Sequence, residues 1–337
     1  QTCALPILLF DQGSVTVMAE KKILVVGSAN IDFLLKTPYV PAEGETLVSN
    51  GTYGFVPGGK GANAAVAAAR LGGDVSFCTR VGDDAYGDRL LEIYRENGIA
   101  MRNVTVDPQE QTGLAVVMLE RSGSNRIIVY PGANSNIRED DITAAFSSFP
   151  DIVVTNCEIP EDSVLCVARL CRERGVPLVL DFGGVKRGFP LQSLGEVEII
   201  SPNESETLAL TGIRPDSLDD CLRACIKLCS IIPCKYVVLK LGSRGSYVYN
   251  GKYCCMCTPY PVNCVDTTAA GDAFTAAMAY LYINSGDIVN ACNFANAVGA
   301  LTVSKVGAIT SLPTRAEVSR FIEENKQIGR ASCRERV

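Results

Sequence analysis

The segment KKILVVGSANID (residues 21–32) runs from two lysines through an unbroken apolar stretch, stops at a glycine and continues into polar residues. An unbroken apolar stretch of this length, bounded by a glycine, indicates a strand that is buried on both faces, as in parallel sheets. In open α/β sheets, ligands bind at the carboxyl ends of the strands. The segment therefore predicts a buried strand with a polar binding loop, GSANID (27–32), at its end.

The rest of the chain alternates between strand and helix patterns in the same way. Strands that alternate with helices indicate βαβ units and a mostly parallel sheet with helices on both faces. A hairpin is predicted to follow residue 242. Strands are predicted at residues 21–28, 74–82, 151–156, 176–182, 197–202 and 234–242, and helices at 61–72, 84–98, 160–175, 204–212, 270–284 and 287–303.

Two regions interrupt this alternation. Residues 33–57 and 112–130 have strand character without intervening helices, as in LVSNGTYGFV and TGLAVVMLE. Alternating apolar and polar residues are typical of a strand with one exposed face. The two regions predict a small antiparallel sheet beside the main domain, which would act as a lid.

Composition excludes several classes of protein and of active site. The chain of 337 residues has a net charge of −6, so bulk charge does not attract nucleic acid or anionic lipid. None of its apolar runs approaches the roughly 18 residues that a bilayer-spanning helix needs. There is no histidine, which excludes Ser-His-Asp and Cys-His catalysis and a His-ligated zinc site. Acid–base chemistry must then fall to Asp, Glu, Lys, Tyr or Cys.

Fifteen cysteines are scattered through apolar segments, which is unlike a short disulfide-rich secreted domain and indicates a reducing, cytoplasmic compartment. Cys221, Cys225 and Cys229 recur at every fourth position, so we interpret them as a buried stripe on one helix face. The cluster CCMC (254–257) lies on a predicted strand, whose side chains point alternately to opposite faces. A metal site at this cluster is the less favoured alternative.

The two ends of the chain match nothing in the organisation of the middle. Residues 1–17 and 328–337 are expected to be non-native tails, and the native sequence is expected to start at Met18 and to end near Lys326. Both tails are therefore left out of the fold prediction.

The segment GTYGFVPGGKGAN (51–63) approaches a phosphate-binding P-loop, because GFVPGGK has the spacing G-x-x-x-x-G-K. Gly61 follows where that loop needs a hydroxyl for Mg²⁺, and the preceding segment is not a buried parallel strand. These two departures disfavour a P-loop. The preferred interpretation is that Gly58, Gly59 and Gly61 let the backbone approach a polar ligand closely.

Three polar side chains near these glycines suit a ligand with neighbouring hydroxyl groups. Asn30, Asp32 and Asn63 each offer hydrogen bonds to an OH group. Taken alone, Asp32 is better explained as the acid of a turn. The Asn two residues before it and the second polar loop at 58–63 favour ligand binding.

The segment VDTTAAGDAF (265–274) places Asp272 just after a glycine, at the start of the predicted helix 270–284. A helix start exposes unpaired N–H groups and a partial positive charge, which together make a seat for a phosphate. Two roles are open for Asp272, a helix cap and a catalytic base.

Two shorter motifs are less specific. SPNESE (201–206) ends a predicted strand, and its acids suit either a helix N-cap or a Mg²⁺–phosphate site. LGSRG (241–245) is a glycine-flanked turn that an ordinary hairpin would also contain.

In this order along the chain, GSANID, GGKGAN, VYPGAN, CEIP, PNESET, LGSRG and DTTAAGDAF resemble the ribokinase-like, or PfkB, family of sugar kinases. The resemblance runs from about residue 21 to 321. It implies a three-layer α/β/α domain over residues 18–326, with a mostly parallel central sheet and a small antiparallel β lid. It also implies ATP-dependent phosphorylation of a sugar, expected to be D-ribose, with Mg²⁺ and K⁺ and with a homodimer formed through the lid.

The resemblance further implies four groups of site residues. Asp272 would be the general base for the primary hydroxyl of the sugar, and the backbone of Ala269, Ala270 and Gly271 would form the anion hole for the transferred phosphoryl group. The sugar would be held by Asn30, Asp32, Gly59, Lys60, Asn63, Glu158 and Asp272. ATP would lie along Asn203, Lys240, Leu241, Gly242, Ser243, Arg244, Gly245, Gly271 and Asn296. Potassium would be bound by Asp266, Thr268, Thr302, Lys305, Gly307 and Ser311, and Mg²⁺ would be held, through water, by Asn203 and Glu206.

Other functions stay open beside this one. The segment DFGGVKRGFP (181–190) stands where many relatives carry an Asn-Pro-rich loop, and Asn296 stands where some have a histidine, so 2-deoxyribose, fructose or adenosine are alternative substrates. A non-catalytic sugar sensor on the same fold is disfavoured by the intact acids. A dehydrogenase is disfavoured because the dinucleotide fingerprint G-x-G-x-x-G is missing from the first strand and its loop.

Overall fold

A computed structural model describes residues 21–120, 125–325 and 332–335, which form two sheets and the helices around them. The strands are β1 (Lys22–Val26), β2 (Asn30–Thr37), β3 (Tyr53–Gly58), β4 (Asp74–Gly82), β5 (Val104–Asp107), β6 (Gly113–Glu120), β7 (Asn125–Tyr130), β8 (Ile152–Thr155), β9 (Leu178–Asp181), β10 (Val197–Ser201), β11 (Cys234–Lys240), β12 (Ser246–Tyr249), β13 (Tyr253–Cys257) and β14 (Ser332–Glu335). The α-helices are α1 (Lys60–Arg70), α2 (Ala85–Glu96), α3 (Glu139–Ala145), α4 (Glu161–Arg174), α5 (Glu204–Thr211), α6 (Leu218–Ile231), α7 (Ala270–Ser285), α8 (Ile288–Val303) and α9 (Arg315–Glu324).

β1 lies inside the larger sheet and pairs in parallel on both sides. Ile23 is in register with Val75 of β4 on one side and with Ile152 of β8 on the other. The order of the whole sheet is β14-β13-β12-β11-β10-β9-β8-β1-β4-β5. The pairs from β5 to β11 are parallel, and those from β11 to β14 are antiparallel. The predicted mostly parallel sheet is therefore confirmed.

Helices cover both faces of this sheet, because successive residues of a strand point to opposite sides. Ile23 and Val25 of β1 pack into a core formed with α1, α2, α7 and α8. Leu24 and Val26 pack into a second core, formed with α3, α4 and α6. The apolar run that predicted a strand buried on both faces thus supplies both cores, and the three-layer arrangement is confirmed.

The lid is a second sheet of strand order β3-β2-β6-β7. Its strands lie within or next to the predicted regions 33–57 and 112–130. The β2–β3 and β6–β7 pairs are antiparallel, as predicted, whereas the inner β2–β6 pair is parallel. A short hairpin turn forces two strands to pair antiparallel. β2 and β6 are not joined by such a turn, so they are free to pair in parallel.

The lid exposes several large apolar side chains to solvent, among them Tyr53, Ile127 and Ile128. Such side chains suit burial against another surface. The pairing of two copies through the lid stays a prediction.

The strands and helices predicted from the sequence are all present, with small shifts at their ends. β5, β14, α3 and α9 were not predicted, and the first three are only four to seven residues long. The cysteine stripe lies on α6, where Cys221 and Cys225 are buried and Cys229 is half-buried. Cys255 and Cys257 face one core and Cys254 faces the other, as their alternation on a strand requires.

Within the described ranges, none of the helices is both long and apolar enough to cross a bilayer.

The predicted tails are described only in part. Residues 1–17 lie outside the described ranges, while β14 falls within the predicted tail 328–337. β14 pairs with the edge strand β13, with Cys255 in register with Cys333. The native boundaries stay a prediction.

Removing residues 1–17 and 328–337 is expected to lower the free energy of unfolding by less than about 1 kcal/mol, since four residues at a sheet edge add little pairing. The melting temperature would then fall by less than about 4 °C. Differential scanning calorimetry of the two single truncations and of the double truncation checks this. A larger loss that is confined to the C-terminal truncation would show that β14 is part of the folded domain.

Candidate active site

A cleft of about 1310 Å³ opens between the lid sheet and the carboxyl ends of the central strands. It brings together most of the residues predicted from the sequence, although these come from distant parts of the chain. The predicted residues that line it are Asn30, Asp32, Gly59, Lys60, Asn63, Glu158, Asn203, Glu206, Lys240, Gly242, Asp266, Thr268, Ala269, Gly271 and Asp272. The remaining predicted residues, which are not on its wall, are Ala270, Leu241, Ser243, Arg244, Gly245, Asn296, Thr302, Lys305, Gly307 and Ser311.

Asp272 is buried in the first turn of α7, where its carboxylate is held by two residues of α1. Asn63 donates a hydrogen bond of 2.8 Å from Nδ2 to Asp272 Oδ2, and Lys60 Nζ lies 3.7 Å from Oδ1. The Asp272 carboxylate raises the pKa of the Lys60 ammonium above its usual range, against the effect of burial. Lys60 is therefore a permanent cation beside Asp272.

Asn63 has a hydrogen-bonding group left over. Its Oδ1 is buried and has no partner among the described residues, although the side chain lines the cleft. A buried acceptor without a partner is costly, so such groups point to a missing ligand or water. Asn63 can therefore accept a hydrogen bond from a ligand hydroxyl while its amide holds Asp272.

The start of α7 has a strained backbone. Ala269, the residue before the helix, has φ 62° and ψ 0°, in the left-handed region that a residue with a Cβ rarely adopts. Strain of this kind costs about 1–3 kcal/mol and is found mainly at functional sites. The first-turn N–H groups of α7 have no acceptor within the helix. The residues predicted to form the anion hole lie at this strained turn, where the Ala270 nitrogen donates a hydrogen bond of 3.3 Å to the Thr267 oxygen. Their contact with a phosphoryl group stays a prediction.

The glycines around the start of α1 bring the backbone close to other parts of the chain, and Gly59 also lines the cleft. A Cβ on Gly61 would lie 2.5 Å from the carbonyl carbon of Gly27, and one on Gly58 would lie 2.3 Å from Asp32 Oδ2. Gly59 has φ 89°, and a Cβ there would lie 2.7 Å from the Asn30 nitrogen. These glycines allow close approach to the chain's own GSANID loop. The interpretation that all three approach a ligand is wrong for Gly61, which packs against the Gly27 backbone.

The predicted loop GSANID is a loop only over residues 27–29, because Asn30 begins β2. The segment is fixed by an asparagine that the sequence analysis gave no role. Asn134 accepts a hydrogen bond of 2.8 Å from the Ala29 nitrogen and donates one of 2.8 Å to Asn30 Oδ1. It belongs to the quoted motif VYPGAN, so its placement in a family motif was the available signal. Asn134 orients Asn30 toward the cleft.

Acids crowd this end of the cleft. Glu158 accepts hydrogen bonds from Ser28 Oγ, at 2.7 Å, and from the backbone nitrogen of Lys60, at 3.3 Å. Burial, together with the charges of Glu158 and Asp272, raises the pKa of Asp32 to about 7, although Lys60 opposes the shift. Asp32 therefore changes its charge near neutral pH.

A second buried ion pair lies on the cleft wall, and the sequence analysis missed one of its members. Asp181, at the end of β9, accepts a hydrogen bond from Lys240 Nζ, at the end of β11. It also accepts one of 2.7 Å from Thr275 Oγ1 of α7. Burial would raise the pKa of Asp181, but the Lys240 and Lys60 ammoniums hold it below its usual range. The available signal was an acid at the carboxyl end of a buried strand.

SPNESE forms the helix cap that was one of its two interpretations. The Asn203 side chain accepts a hydrogen bond of 2.8 Å from the Glu206 nitrogen, and Glu206 accepts one of 2.8 Å from the Asn203 nitrogen. Both side chains line the cleft. Burial raises the pKa of Glu206, with Lys240 opposing. Mg²⁺ commonly keeps several waters and uses one or two protein carboxylates plus substrate phosphates, so these two residues fit the ion without giving up the cap.

The turn after β11 meets the cleft only at its start. Gly242 lines the wall, whereas Leu241 is buried in the second core. Arg244 pairs with Glu204 at 2.6 Å. Asn296 Nδ2 donates to the Cys257 oxygen at 3.0 Å. Both side chains thus have partners within the protein. Their predicted contacts with ATP stay predictions.

The residues predicted to bind potassium join two loops. Asp266 accepts hydrogen bonds of 2.9 Å from the nitrogens of Thr268 and Gly307. Ser311 is buried, and the ammonium of Lys305 pairs with Glu317 at 2.8 Å, so only the backbone oxygen of Lys305 is suited to a cation. Carboxylate, hydroxyl and carbonyl oxygens are the donors that hard cations prefer. This donor set fits a potassium ion.

The sheet topology, the lid and the acid at a helix start define an enzyme of the small-molecule kinase class. The family model described as "pfkB family carbohydrate kinase" matches residues 20–315 of the chain. The chain belongs to the pfkB family of carbohydrate kinases, and its fold is that of the ribokinase-like proteins.

Individual relatives support this assignment. The chain is 36% identical to the ribokinase of Arabidopsis thaliana over 89% of this chain and 81% of the relative. It superimposes with a TM-score of 0.82 on the structure of Arabidopsis thaliana ribokinase complexed with ribose and ATP, at 35% identity over 91% of this chain and 99% of the other.

Other relatives differ in length or in substrate. The chain is 35% identical to a bifunctional ribokinase/ribose-5-phosphate isomerase A of Fructilactobacillus sanfranciscensis. The match covers 91% of this chain but only 57% of the length of that relative. It is 29% identical to the deoxyribokinase of Salmonella typhi over 90% of this chain and 99% of the relative.

Asp32→Asn is expected to raise the melting temperature more at pH 8 than at pH 5. The pKa of Asp32 is about 7 in the fold and ordinary in the unfolded chain, so this group favours folding at low pH and loses that effect as the pH rises toward 7. The Asn side chain does not ionise, so the variant does not lose stability as the pH rises. Melting curves of both proteins without ligands measure the difference, with Asp74→Asn, at an exposed position, as the control. A gain that is the same at both pH values would contradict the proton linkage.

Proposed function

We propose that the protein transfers the γ-phosphoryl group of ATP to D-ribose, which gives D-ribose 5-phosphate and ADP. The observation that carries this proposal is the polar end of the cleft, where Asp272 is held by Lys60 and Asn63. Asn30, Asp32 and Glu158 lie on the same wall. Carboxylates and amides that surround a small cleft suit the hydroxyl groups of a sugar.

In the proposed reaction, Asp272 accepts the proton of the attacking primary hydroxyl. The new P–O bond forms to the sugar oxygen while the bond to the ADP oxygen breaks, and the first-turn N–H groups of α7 stabilise the charge on the phosphoryl oxygens. Asn203 and Glu206 would hold Mg²⁺, which, when bound with ATP, neutralises phosphate charge. Lys60, whose Nζ lies 3.7 Å from Asp272 Oδ1, supplies a positive charge beside the base.

Two alternatives make different predictions. Deoxyribose is a candidate because a deoxyribokinase is among the relatives. A non-catalytic sugar sensor would bind sugar and release no ADP. The buried, ion-paired Asp272 favours an enzyme, because burying a carboxylate has a cost that a sensor does not need.

With Mg-ATP, purified protein is expected to turn over D-ribose with a higher kcat/KM than 2-deoxyribose, D-fructose or adenosine. A site that hydrogen-bonds a hydroxyl rejects the analogue that lacks it, here by at least about tenfold. ADP release measured across this panel, with each acceptor omitted in turn, provides the test. A higher kcat/KM for another acceptor would overturn the choice of ribose, and no ADP release with any of them would support the sensor.

Asp272→Asn is expected to lower kcat by roughly 10²–10⁴, the contribution of a positioned general base. The new Asn side chain has the shape of Asp and an oxygen that can still accept the hydrogen bond from Asn63, but it cannot accept the proton. Steady-state kinetics, sugar binding and a melting curve of the variant are measured together. A folded variant that binds sugar and keeps more than about a tenth of wild-type kcat would rule out a base at this position.

Potassium is proposed to bind at Asp266 and the segment 302–311, which runs from the end of α8, and to order the turn before α7. Activity is then expected to be higher in KCl than in NaCl at the same ionic strength, because the smaller sodium ion fits the same oxygen donors less well. Melting temperatures in the two salts give a readout that is independent of turnover. Equal rates and equal melting temperatures over a full concentration series would remove the ion from the site.

A further inference from the structure

The pair formed by Lys240 and Asp181 is unusual because both side chains are almost completely buried, at 9% and 5% exposure. Burying two charges costs more than their attraction returns unless further hydrogen bonds satisfy them, and apolar residues of similar volume often replace such pairs without loss of stability. A pair retained on the wall of a cleft is therefore more readily explained by the reaction than by stability.

The ammonium of Lys240 lies beside the start of α7. Its Nζ is 3.6 Å from the position that a Cβ on Gly271 would occupy. Gly271 lies in the first turn, whose N–H groups have no acceptor within the helix. The cation and the positive end of the helix dipole therefore face the same volume of the cleft, which is where an anion is best stabilised.

Asp181 holds this ammonium relative to α7 itself. Its Oδ2 accepts hydrogen bonds from Lys240 Nζ and from Thr275 Oγ1, and Thr275 lies on α7, one turn after Gly271. Its Oδ1 accepts a hydrogen bond of 2.9 Å from the Gly183 nitrogen. The carboxylate is thus fixed from three directions, and it fixes the position of Lys240 in turn.

We propose that Lys240 is a catalytic residue that contacts the transferred phosphoryl group, and that Asp181 is the positioning residue that holds its ammonium there. This inference rests on the proposed kinase function and deepens it. Lys240 donates hydrogen bonds to the equatorial phosphoryl oxygens while the bond to ADP breaks and the bond to the sugar forms. It transfers no proton, since that of the sugar hydroxyl goes to Asp272. Lys60 is paired with Asp272, so the two lysines have separate tasks.

Four variants test the proposal. Lys240→Met removes the charge and keeps the length of the side chain. Asp181→Asn keeps the hydrogen-bonding shape, and the double variant removes both charges, so that neither is left buried alone. The matched control is Lys235→Met, which breaks the ion pair with Glu198 at the opposite end of β11, outside the cleft.

Lys240→Met is expected to lower kcat by about 10²–10³, the effect of losing one donor to developing charge, with sugar binding unchanged. Asp181→Asn is expected to lower kcat by about 10–100-fold through misplacement of the ammonium. The double variant should match Lys240→Met in kcat, because residues that act as one unit are not additive, and it should melt at a higher temperature than Lys240→Met. Lys235→Met should keep wild-type kcat.

A second readout does not depend on the identity of the sugar. Affinity for Mg-ADP with fluoroaluminate, which imitates the transferring phosphoryl group, is compared with affinity for Mg-ADP alone. Wild type is expected to prefer the fluoroaluminate complex, and Lys240→Met and the double variant are expected to lose that preference while keeping affinity for Mg-ADP.

A purely structural pair would give a different result. Folded Lys240→Met and double variants that keep kcat within about threefold and retain the preference for fluoroaluminate would overturn the proposal. If wild type phosphorylates none of the sugars, the choice of substrate fails on its own, and the fluoroaluminate comparison still decides the role of Lys240. Wild type without any preference for fluoroaluminate would overturn the inference directly.

Discussion

The contact between the starts of α1 and α7 is the constraint on which the rest of the site depends. Asn63 and Lys60 of α1 reach the Asp272 carboxylate because the start of α1 packs closely against the loop after β1. This close packing is possible because Gly61 has no Cβ that would clash with Gly27. The strained turn at Ala269 in turn aims the start of α7 at the same point. One backbone contact without side chains thus lets two helices, far apart in sequence, share a buried carboxylate.

The charges in the cleft follow from this arrangement. The wall carries eight carboxyl groups and three ammoniums, namely Asp32, Glu120, Glu158, Asp181, Glu204, Glu206, Asp266 and Asp272, and Lys36, Lys60 and Lys240. Burial raises the pKa of Asp32, and the charges of Glu158 and Asp272 raise it further. The excess of acids also opposes the entry of the phosphates of ATP, which are themselves anionic. Divalent ions that arrive with the nucleotide would relieve both effects. A sugar whose hydroxyl groups donate hydrogen bonds to the acids would suit the same excess. The electrostatics of the cleft therefore favour a polyol at one end and a metal–phosphate complex at the other.

The sequence predicted the fold well because the apolar run of β1 and the alternation of strands and helices are local patterns. It predicted Asp272, Asn63 and Glu206 for a similar reason, since each lies in a short motif at a helix start. It missed the partner of Lys240, because Asp181 lies 59 residues away and meets it only where β9 and β11 flank β10. The parallel pairing inside the lid was missed for the same reason, since β2 and β6 share no turn. Contacts between distant segments depend on sheet order, which no local pattern contains.

The two acidic helix starts in the cleft show how geometry separates capping from catalysis. At α5 the Asn203 side chain accepts a hydrogen bond from the helix backbone, and Glu206 returns one, so the acid there is explained by its own helix. At α7 the cap position is Ala269, and no side chain caps the helix. The Asp272 carboxylate is instead held by the amide and ammonium of α1. An acid that ignores the donors of its own helix, is buried, and contacts groups from another helix across a cleft is not explained by helix stability. This geometry supports the proposed catalytic role of Asp272. The proposal also accounts for the strain at Ala269, because a relaxed turn would move both the first-turn N–H groups and the carboxylate away from a common ligand.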